Sequence, residues 1–287
     1  MEIHCKNIER NIFRLILDKH NYIEFCPERG GILTDWTSNG TKILYFDQSR
    51  FLDNRLSIRG GVPILFPICG NNEKNISLFG RNYSQLPQHG FARDIAWQFK
   101  LNEEKNCLNL SLKDNQLTQQ YYPFSFEIKI DVILKFNCLI FEVEIFNKSN
   151  KEMPFSFGLH PYFNISDFKN IQFENYPLVC LDQKSNRILL TDDSLYEIHK
   201  GIDLLMYSAG CLSFKDYVFG RQITLRNPYP FDLNVIWSDP PRKMICMEPW
   251  TSPRNSLING LRKILIQPNS SKTLKASIHI NKIEKIL

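Results

Sequence analysis

The chain has 287 residues, 43% of them hydrophobic and 23% charged, with a formal net charge of +5. This length buries a large core, and with no Gly/Ser-rich linker, internal repeat or low-complexity tract, residues 1–287 read as a single domain. The basic residues are dispersed among acidic ones, which argues against nucleic-acid binding, and no segment approaches the ~20 apolar residues needed to span a bilayer.

Taken in chain order, short strands are predicted at residues 12–17 and 43–46. Proline and glycine then punctuate the stretch from Arg59 to Gly90, which has few alternating positions and reads as loops laid over one sheet face. A strand at 107–112 leads to the strongest pattern in the chain. Phe126, Ile128, Ile130, Val132, Leu134 and Phe136 alternate with Glu127, Lys129, Asp131 and Lys135, the period of a half-buried strand. Phe141, Val143 and Ile145 repeat it against Glu142 and Glu144, and Phe136-Asn137-Cys138 is the turn of an antiparallel hairpin. Further strands are expected at 223–225, 233–237, 264–266 and 274–280. No helical period of comparable strength intervenes, so the fold class is all-β, an antiparallel sandwich or barrel.

Cysteines stand at 5, 26, 69, 107, 138, 180, 211 and 246, with no Cys-x-x-Cys pair and no Cys/His cluster at zinc-ligand spacing. Met1 to Arg10 lacks the apolar core of a signal peptide. A cytoplasmic protein with free thiols and no structural zinc is expected.

Four segments carry polar chemistry. Arg59-Gly60-Gly61-Val62-Pro63 sets a guanidinium before two glycines, where a flexible turn would let side chain and amides approach an anion or a sugar hydroxyl. The bland reading is a surface turn with a solvated arginine. No Gly-Lys-Ser/Thr follows to make a phosphate-binding P-loop, and no Gly-x-Ser-x-Gly nucleophile turn is present. Leu86-Pro87-Gln88-His89-Gly90-Phe91-Ala92-Arg93-Asp94 gathers an amide, an imidazole and a guanidinium around one glycine, groups suited to a polyhydroxylated or anionic ligand. His160 in Phe157-Gly158-Leu159-His160-Pro161-Tyr162-Phe163 and Glu248 in Ile245-Cys246-Met247-Glu248-Pro249-Trp250 are single ionisable residues in apolar surroundings. Each precedes a proline, which confines it to extended backbone and fixes its side-chain direction, as proton transfer requires. A core histidine bonded to a carbonyl and a carboxylate paired with a structural arginine are the alternatives. His4, His20, His199 and His279 have ordinary contexts and receive no role.

Together, Arg59-Gly60-Gly61-Val62-Pro63-Ile64-Leu65-Phe66-Pro67, the Leu86 to Arg93 segment, Leu159-His160-Pro161-Tyr162-Phe163 and Glu248-Pro249 resemble the aldose 1-epimerase family, nearest its hexose-6-phosphate epimerase branch. The resemblance implies a galactose-mutarotase-like β-supersandwich and cofactor-free, metal-free interconversion of the α and β anomers of a hexose or hexose 6-phosphate. By matching motif, His160 takes the place of the general acid toward the ring oxygen and Glu248 that of the base on the anomeric hydroxyl. Gln88, His89 and Arg93 match positions that hold the sugar. Arg59 and Arg93 fall where the phosphate branch recognises phosphate, and Asp216 in Ser213-Phe214-Lys215-Asp216-Tyr217 resembles an Asp that bonds sugar hydroxyls. After Glu248, the run Trp250-Thr251-Ser252-Pro253-Arg254-Asn255 looks closer to the general aldose-epimerase relatives, which keeps free and phosphorylated sugars both open. The partner implied is a small sugar or sugar phosphate, with no nucleic acid or membrane; the sequence sets no oligomeric state.

Three rivals remain. A noncatalytic carbohydrate-binding β-sandwich would stack Trp250 or Tyr162 on a pyranose face without needing His160 and Glu248. A glycoside hydrolase normally needs two carboxylates flanking the bond, and these motifs supply only Glu248. A purely structural sandwich leaves the four polar motifs unexplained.

Overall fold

In the computed structural model, residues 10–78, 81–83 and 85–285 are described; His4 and Cys5 lie outside the described residues. Two eight-stranded antiparallel sheets dominate. The first orders its strands Ile171–Glu174, Cys211–Asp216, Arg221–Arg226, Ser271–Lys282, Cys138–Asn147, Phe126–Lys135, Cys107–Lys113 and Gln98–Asn102. The second runs Arg187–Leu190, Val179–Asp182, Asp203–Tyr207, Leu233–Ser238, Met244–Trp250, Gly158–Leu159 and Ile64–Leu65, with Tyr162–Asn164 also paired to Met244–Trp250. A four-stranded sheet of Phe13–Asp18, Asn21–Cys26, Ile32–Ser38 and Thr41–Lys42 packs its apolar residues into the same core.

The predicted hairpin forms the centre of the first sheet, in continuous register from Phe126↔Asn147 to Lys135↔Cys138. Its inward residues Phe126, Ile128, Ile130, Val132 and Leu134 are buried, each worth ~1.5–3 kcal/mol of apolar transfer. Lys129, Asp131 and Glu142 lie on the opposite face, where Lys275 Nζ meets Glu142 Oε1 at 2.6 Å. Phe136 departs from the expected pattern: it sits in the turn, 62% exposed, because Asn137 takes the left-handed φ of 55° that reverses the chain and breaks the alternation.

Side chains of both large sheets share one apolar cluster, with Phe163 of the second against Phe214 of the first at 5.9 Å between ring centroids. The expected strand at 43–46 is not regular. Leu44 and Phe46 make isolated bridges to Phe163 and Gly60, and the strand proper is Thr41–Lys42. Short helices, Gln48–Leu52, Gln116–Tyr121, Thr191–Tyr196 and Ser256–Asn259, occur in the connections. Among the described residues no helix is long and apolar enough to cross a membrane. Cys26, Cys69, Cys107, Cys138, Cys180, Cys211 and Cys246 are all free.

Candidate active site

Met244–Trp250, in the middle of the second sheet, is buried along its whole length, so it reads as an unbroken apolar run although its side chains still alternate. In Met244–Trp250, Ile245 and Met247 enter the main core, while Cys246, Glu248 and Trp250 face the other way. The neighbouring strands bring their own residues onto that face: Val235 is registered with Glu248, Trp237 with Cys246, and Asp203 with Trp237. On the opposite flank, Gly158↔Trp250 and Tyr162↔Cys246 share one register, which sets His160 across from Glu248. The His160 N–H bonds Pro63 O at 3.0 Å and the Tyr162 N–H bonds Gly61 O at 2.9 Å, clamping the histidine segment between two chains.

The expected loop stretch from Arg59 to Gly90 is not loop throughout, since Ile64–Leu65 is a strand of the second sheet and Ser77–Leu78 pairs with Arg81–Asn82, but Arg59, Gln88 and His89 from it line the pocket. Gly61 is less a flexible turn than a tight crossing: at φ 66° a Cβ there would lie 2.1 Å from Leu33 O. Gly90 has the same function, since its Cβ would meet Phe66 O at 2.0 Å. Beside it, His89 adopts a left-handed φ of 65°. That costly conformation is held by two reciprocal bonds, His89 N–H to Gly70 O at 2.7 Å and Gly70 N–H to His89 Nδ1 at 3.0 Å. Because Nδ1 accepts, the neutral ring carries its proton on Nε2.

The resulting pocket, about 100 Å³, is lined by Arg59, Gln88, His89, Arg93, His160, Tyr162, Asp203, Val235, Trp237, Glu248, Trp250 and Arg254. Broader depressions of about 490 and 580 Å³ lie over the outer sheet face and beside Tyr196, but neither holds a buried acid–base pair. His160 Nε2 stands 3.3 Å from Glu248 Oε1, and both side chains are at least nine-tenths buried. The Trp250 indole N–H donates to Glu248 Oε2 at 3.1 Å and fixes the carboxyl plane. Tyr162 stacks on the His160 ring at 4.6 Å and 4°, fixing the imidazole plane.

Burial, reinforced by Asp203, holds Glu248 well above the usual carboxylate range. Burial, with Arg93 and Arg59 adding to it, holds His160 well below the ordinary imidazole value, and His89 is lowered in the same direction by burial and by His160. The two shifts at the His160–Glu248 pair have one cause: burial disfavours the charged form of each group.

Cationic groups surround this pair. Arg59 lies over the Trp237 ring at 5.1 Å and reaches Asp239 Oδ2 at 3.3 Å. Arg93 is largely buried, and its Nε makes no hydrogen bond but lies 3.7 Å from Asp94 Oδ2. Gln88 is at the exposed rim.

Thus Arg59, Gln88, His89, Arg93, His160 and Glu248 come together, while Asp216 does not. Asp216 belongs to the first sheet and is fully buried. It accepts from Ser166 N–H and Ser166 Oγ–H, both at 2.7 Å, and from Phe219 N–H at 3.0 Å, so its carboxylate is consumed in organising two turns. Neither Lys215 nor Arg221 forms an ion pair with it; Lys215 pairs with Glu174. The pocket's second acid is Asp203, which the sequence reading missed, as it missed Trp237 and Arg254. Arg254 Nη2 donates to Asp203 Oδ2 at 2.7 Å and Gln183 Nε2 to Oδ1 at 2.8 Å. The missed signal was the alternation Asp203-Leu204-Leu205-Met206-Tyr207, whose Leu204 and Met206 enter the core.

Residues 15–279 match the aldose 1-epimerase family. A Salmonella typhimurium protein provisionally named a glucose-6-phosphate 1-epimerase is 30% identical over 149 residues, which are 50% of this chain and 46% of that protein. The chain thus matches about half the length of that relative. Lactococcus lactis LacX is 26% identical over 232 residues, 70% of this chain and 77% of its own. Among solved structures, the Slr1438 protein of Synechocystis sp. PCC 6803 aligns at a TM-score of 0.90 with 32% identity, covering 98% of this chain and 100% of that one. A galactose mutarotase-like protein from Clostridium acetobutylicum shares the fold at a TM-score of 0.77 with 18% identity, covering 96% of each chain. The architecture is therefore the galactose mutarotase-like β-sandwich expected from the motifs.

Proposed function

The chain belongs to the aldose 1-epimerase family, and from that premise we propose that it interconverts the α and β anomers of a hexose or hexose 6-phosphate by acid/base ring opening and reclosure. The observation that carries this reading is the buried His160–Glu248 pair, 3.3 Å apart at the floor of a polar pocket.

With a cyclic sugar seated there, Glu248 removes the proton of the anomeric O1–H as the C1=O bond forms. The C1–O5 bond breaks, and the ring oxygen takes a proton from His160. Rotation about C1–C2 presents the other carbonyl face, and reclosure runs the same transfers backward, with Glu248 now giving its proton to O1 and His160 recovering one from O5. Each turnover conserves protons. One proton shared between the two groups suffices for the whole sequence, because a transfer across the 3.3 Å gap converts the neutral pair into the charged pair that these steps use.

His89 Nε2–H and the guanidinium of Arg93 offer donors to hydroxyl oxygens. Arg93 and Arg59 favour a substrate that brings its own negative charge, such as a hexose 6-phosphate, because their carboxylate partners, Asp94 at 3.7 Å and Asp239 at 3.3 Å, are held by long contacts. Asp203 argues against glycoside hydrolysis despite adding a second carboxylate to the pocket, because Arg254 and Gln183 already occupy its oxygens.

Magnetisation-transfer NMR of anomer exchange on glucose, galactose and glucose 6-phosphate tests the proposal. Acceleration of the phosphate ester alone supports Arg59 and Arg93 as the anion site, and equal acceleration of all three supports a general aldose epimerase. Acceleration of none returns the pocket to a noncatalytic sugar-binding role.

A further inference from the structure

Cys246 has no part in the proton transfers, yet it lies one alternation away from Glu248 on the pocket face of the same strand and is registered with Tyr162, two residues from His160. Donor atoms of His160, Cys246 and Glu248 lie within 4.8 Å of one another, and all three residues are buried. These residues are 88 positions apart at their extremes, so no sequence spacing announces them as a ligand set. An imidazole nitrogen, a thiol sulfur and a carboxylate oxygen form a mixed set that suits a borderline-to-soft cation and not Mg²⁺ or Ca²⁺, which prefer oxygen alone.

Tetrahedral zinc, with ligand bonds near 2.0–2.3 Å, separates its donors by roughly 3.3–3.8 Å. His160 Nε2 and Glu248 Oε1 already stand at 3.3 Å, and the sulfur needs a shift of ~1 Å or less, within reach of a side-chain adjustment. Trp250 Nε1–H holds the far carboxyl oxygen and so turns Oε1 toward the shared centre, the orienting contact typical of metal-binding carboxylates.

We propose that the catalytic pocket is also a reversible binding site for Zn²⁺ or a similar thiophilic divalent cation, held by His160, Cys246 and Glu248, and that its occupation excludes the sugar. The ion sits between the acid and the base and takes from each the lone pair that would handle the substrate's protons. On binding, the thiol proton and the proton that His160 and Glu248 hold between them both leave to solvent. The site is an exchangeable one. It supplies three protein ligands and an open position, and His160 Nδ1 is buried without the hydrogen-bond partner that would make the imidazole a firmer ligand. The inhibitory consequence rests on the epimerase reading; the binding does not.

The test is carried out on the full chain with Zn²⁺ and Cd²⁺ as probes. Free Zn²⁺ should inhibit anomer exchange competitively with sugar and reversibly by chelation, whereas Mg²⁺ should not, and Cys246→Ala should weaken the inhibition by at least about tenfold while retaining exchange activity. Independently of activity, Cd²⁺ should raise a thiolate-to-metal ultraviolet absorption. It should lose amplitude in Cys246→Ala, which removes the sulfur, and require at least about tenfold more Cd²⁺ in His160→Ala, which keeps it. Zinc inhibition unchanged in Cys246→Ala, or a cadmium titration identical in wild type and both variants, overturns the proposal. If no sugar is epimerised, the cadmium titrations still decide it; if Cys246→Ala does not fold, the His160→Ala comparison does.

Discussion

The two large sheets differ in what occupies the faces they turn away from the shared core. The hairpin Phe126–Lys135 and Cys138–Asn147 turns Glu127, Lys129, Asp131, Glu142 and Glu144 to solvent, a surface of loose geometric demands on which Lys129 faces Glu144 and even the two acids Asp131 and Glu142 stand opposite each other. The strand Met244–Trp250 turns Cys246, Glu248 and Trp250 under a roof of loops, where a carboxyl group survives only with its proton or its partners in place. One sheet therefore contributes mainly to stability, and the other combines stability with chemistry on a single strand.

Substitutions should separate the two. The largest effect is expected for Glu248→Gln, which should lower the anomer-exchange rate by ~10²–10⁴-fold while leaving the thermal midpoint unchanged or raised, since an uncharged amide replaces a buried group whose charged form burial disfavours. A parallel fall in midpoint, read by calorimetry, would mean that Glu248 is a structural ion. The mirror experiment is Ile130→Ala in the hairpin. Deleting a fully buried side chain should cost ~2–5 kcal/mol in denaturant unfolding and leave the exchange rate per folded molecule intact; loss of activity without loss of stability would dissolve the contrast.

The pH profile sharpens the pocket side. His160 is depressed below 6.5, so its second-proton state forms only under more acidic conditions, and the acid limb of kcat/KM should fall below pH 6.5. Glu248 is raised above 4.5, so it ionises at higher pH than an ordinary carboxylate. An acid limb at or above pH 6.5 would show that the histidine titrates as if solvated. The smallest effect is expected for Phe136→Ser, within about 0.5 kcal/mol of wild type by urea unfolding, because the ring is exposed in the hairpin turn.

The same contrast accounts for what could be read in the sequence. Solvent on one side of the hairpin writes the period-two rule into its residues, so Phe126 through Leu134 declare their strand. Met244–Trp250 is buried on both sides and reads as a plain apolar run; Glu248 stood out within it by charge, not by pattern. Arg59, His89 and His160 were accessible to the same kind of reading, each a polar group embedded beside Gly or Pro. Trp237 was not, because an aromatic residue in an apolar strand carries no mark of which face it takes. Asp203 and Asp216 show the limit most directly. Both are acids at the end of an apolar strand, and only tertiary register decides that the first lines the pocket while the second braces Ser166 and Phe219. The cluster of His160, Cys246 and Glu248 is likewise a product of register alone.

The shared register of Gly158↔Trp250 and Tyr162↔Cys246 bears on how this protein can change over generations. The acid and base are spaced by one inter-strand gap and not by the chain that connects them, so loops among the roughly eighty residues between Asn164 and Met244 can lengthen or shorten without moving one reacting group relative to the other, provided that Leu233–Ser238 keeps its pairing with Met244–Trp250. A single deletion between Gly158 and Tyr162 has the opposite character, since it would turn His160 into the hydrophobic interior. The machinery is thus tolerant of drift along most of its length and brittle over five residues, and variation in ligand preference is expected to accumulate in the surrounding loops while the proton-handling pair stays still.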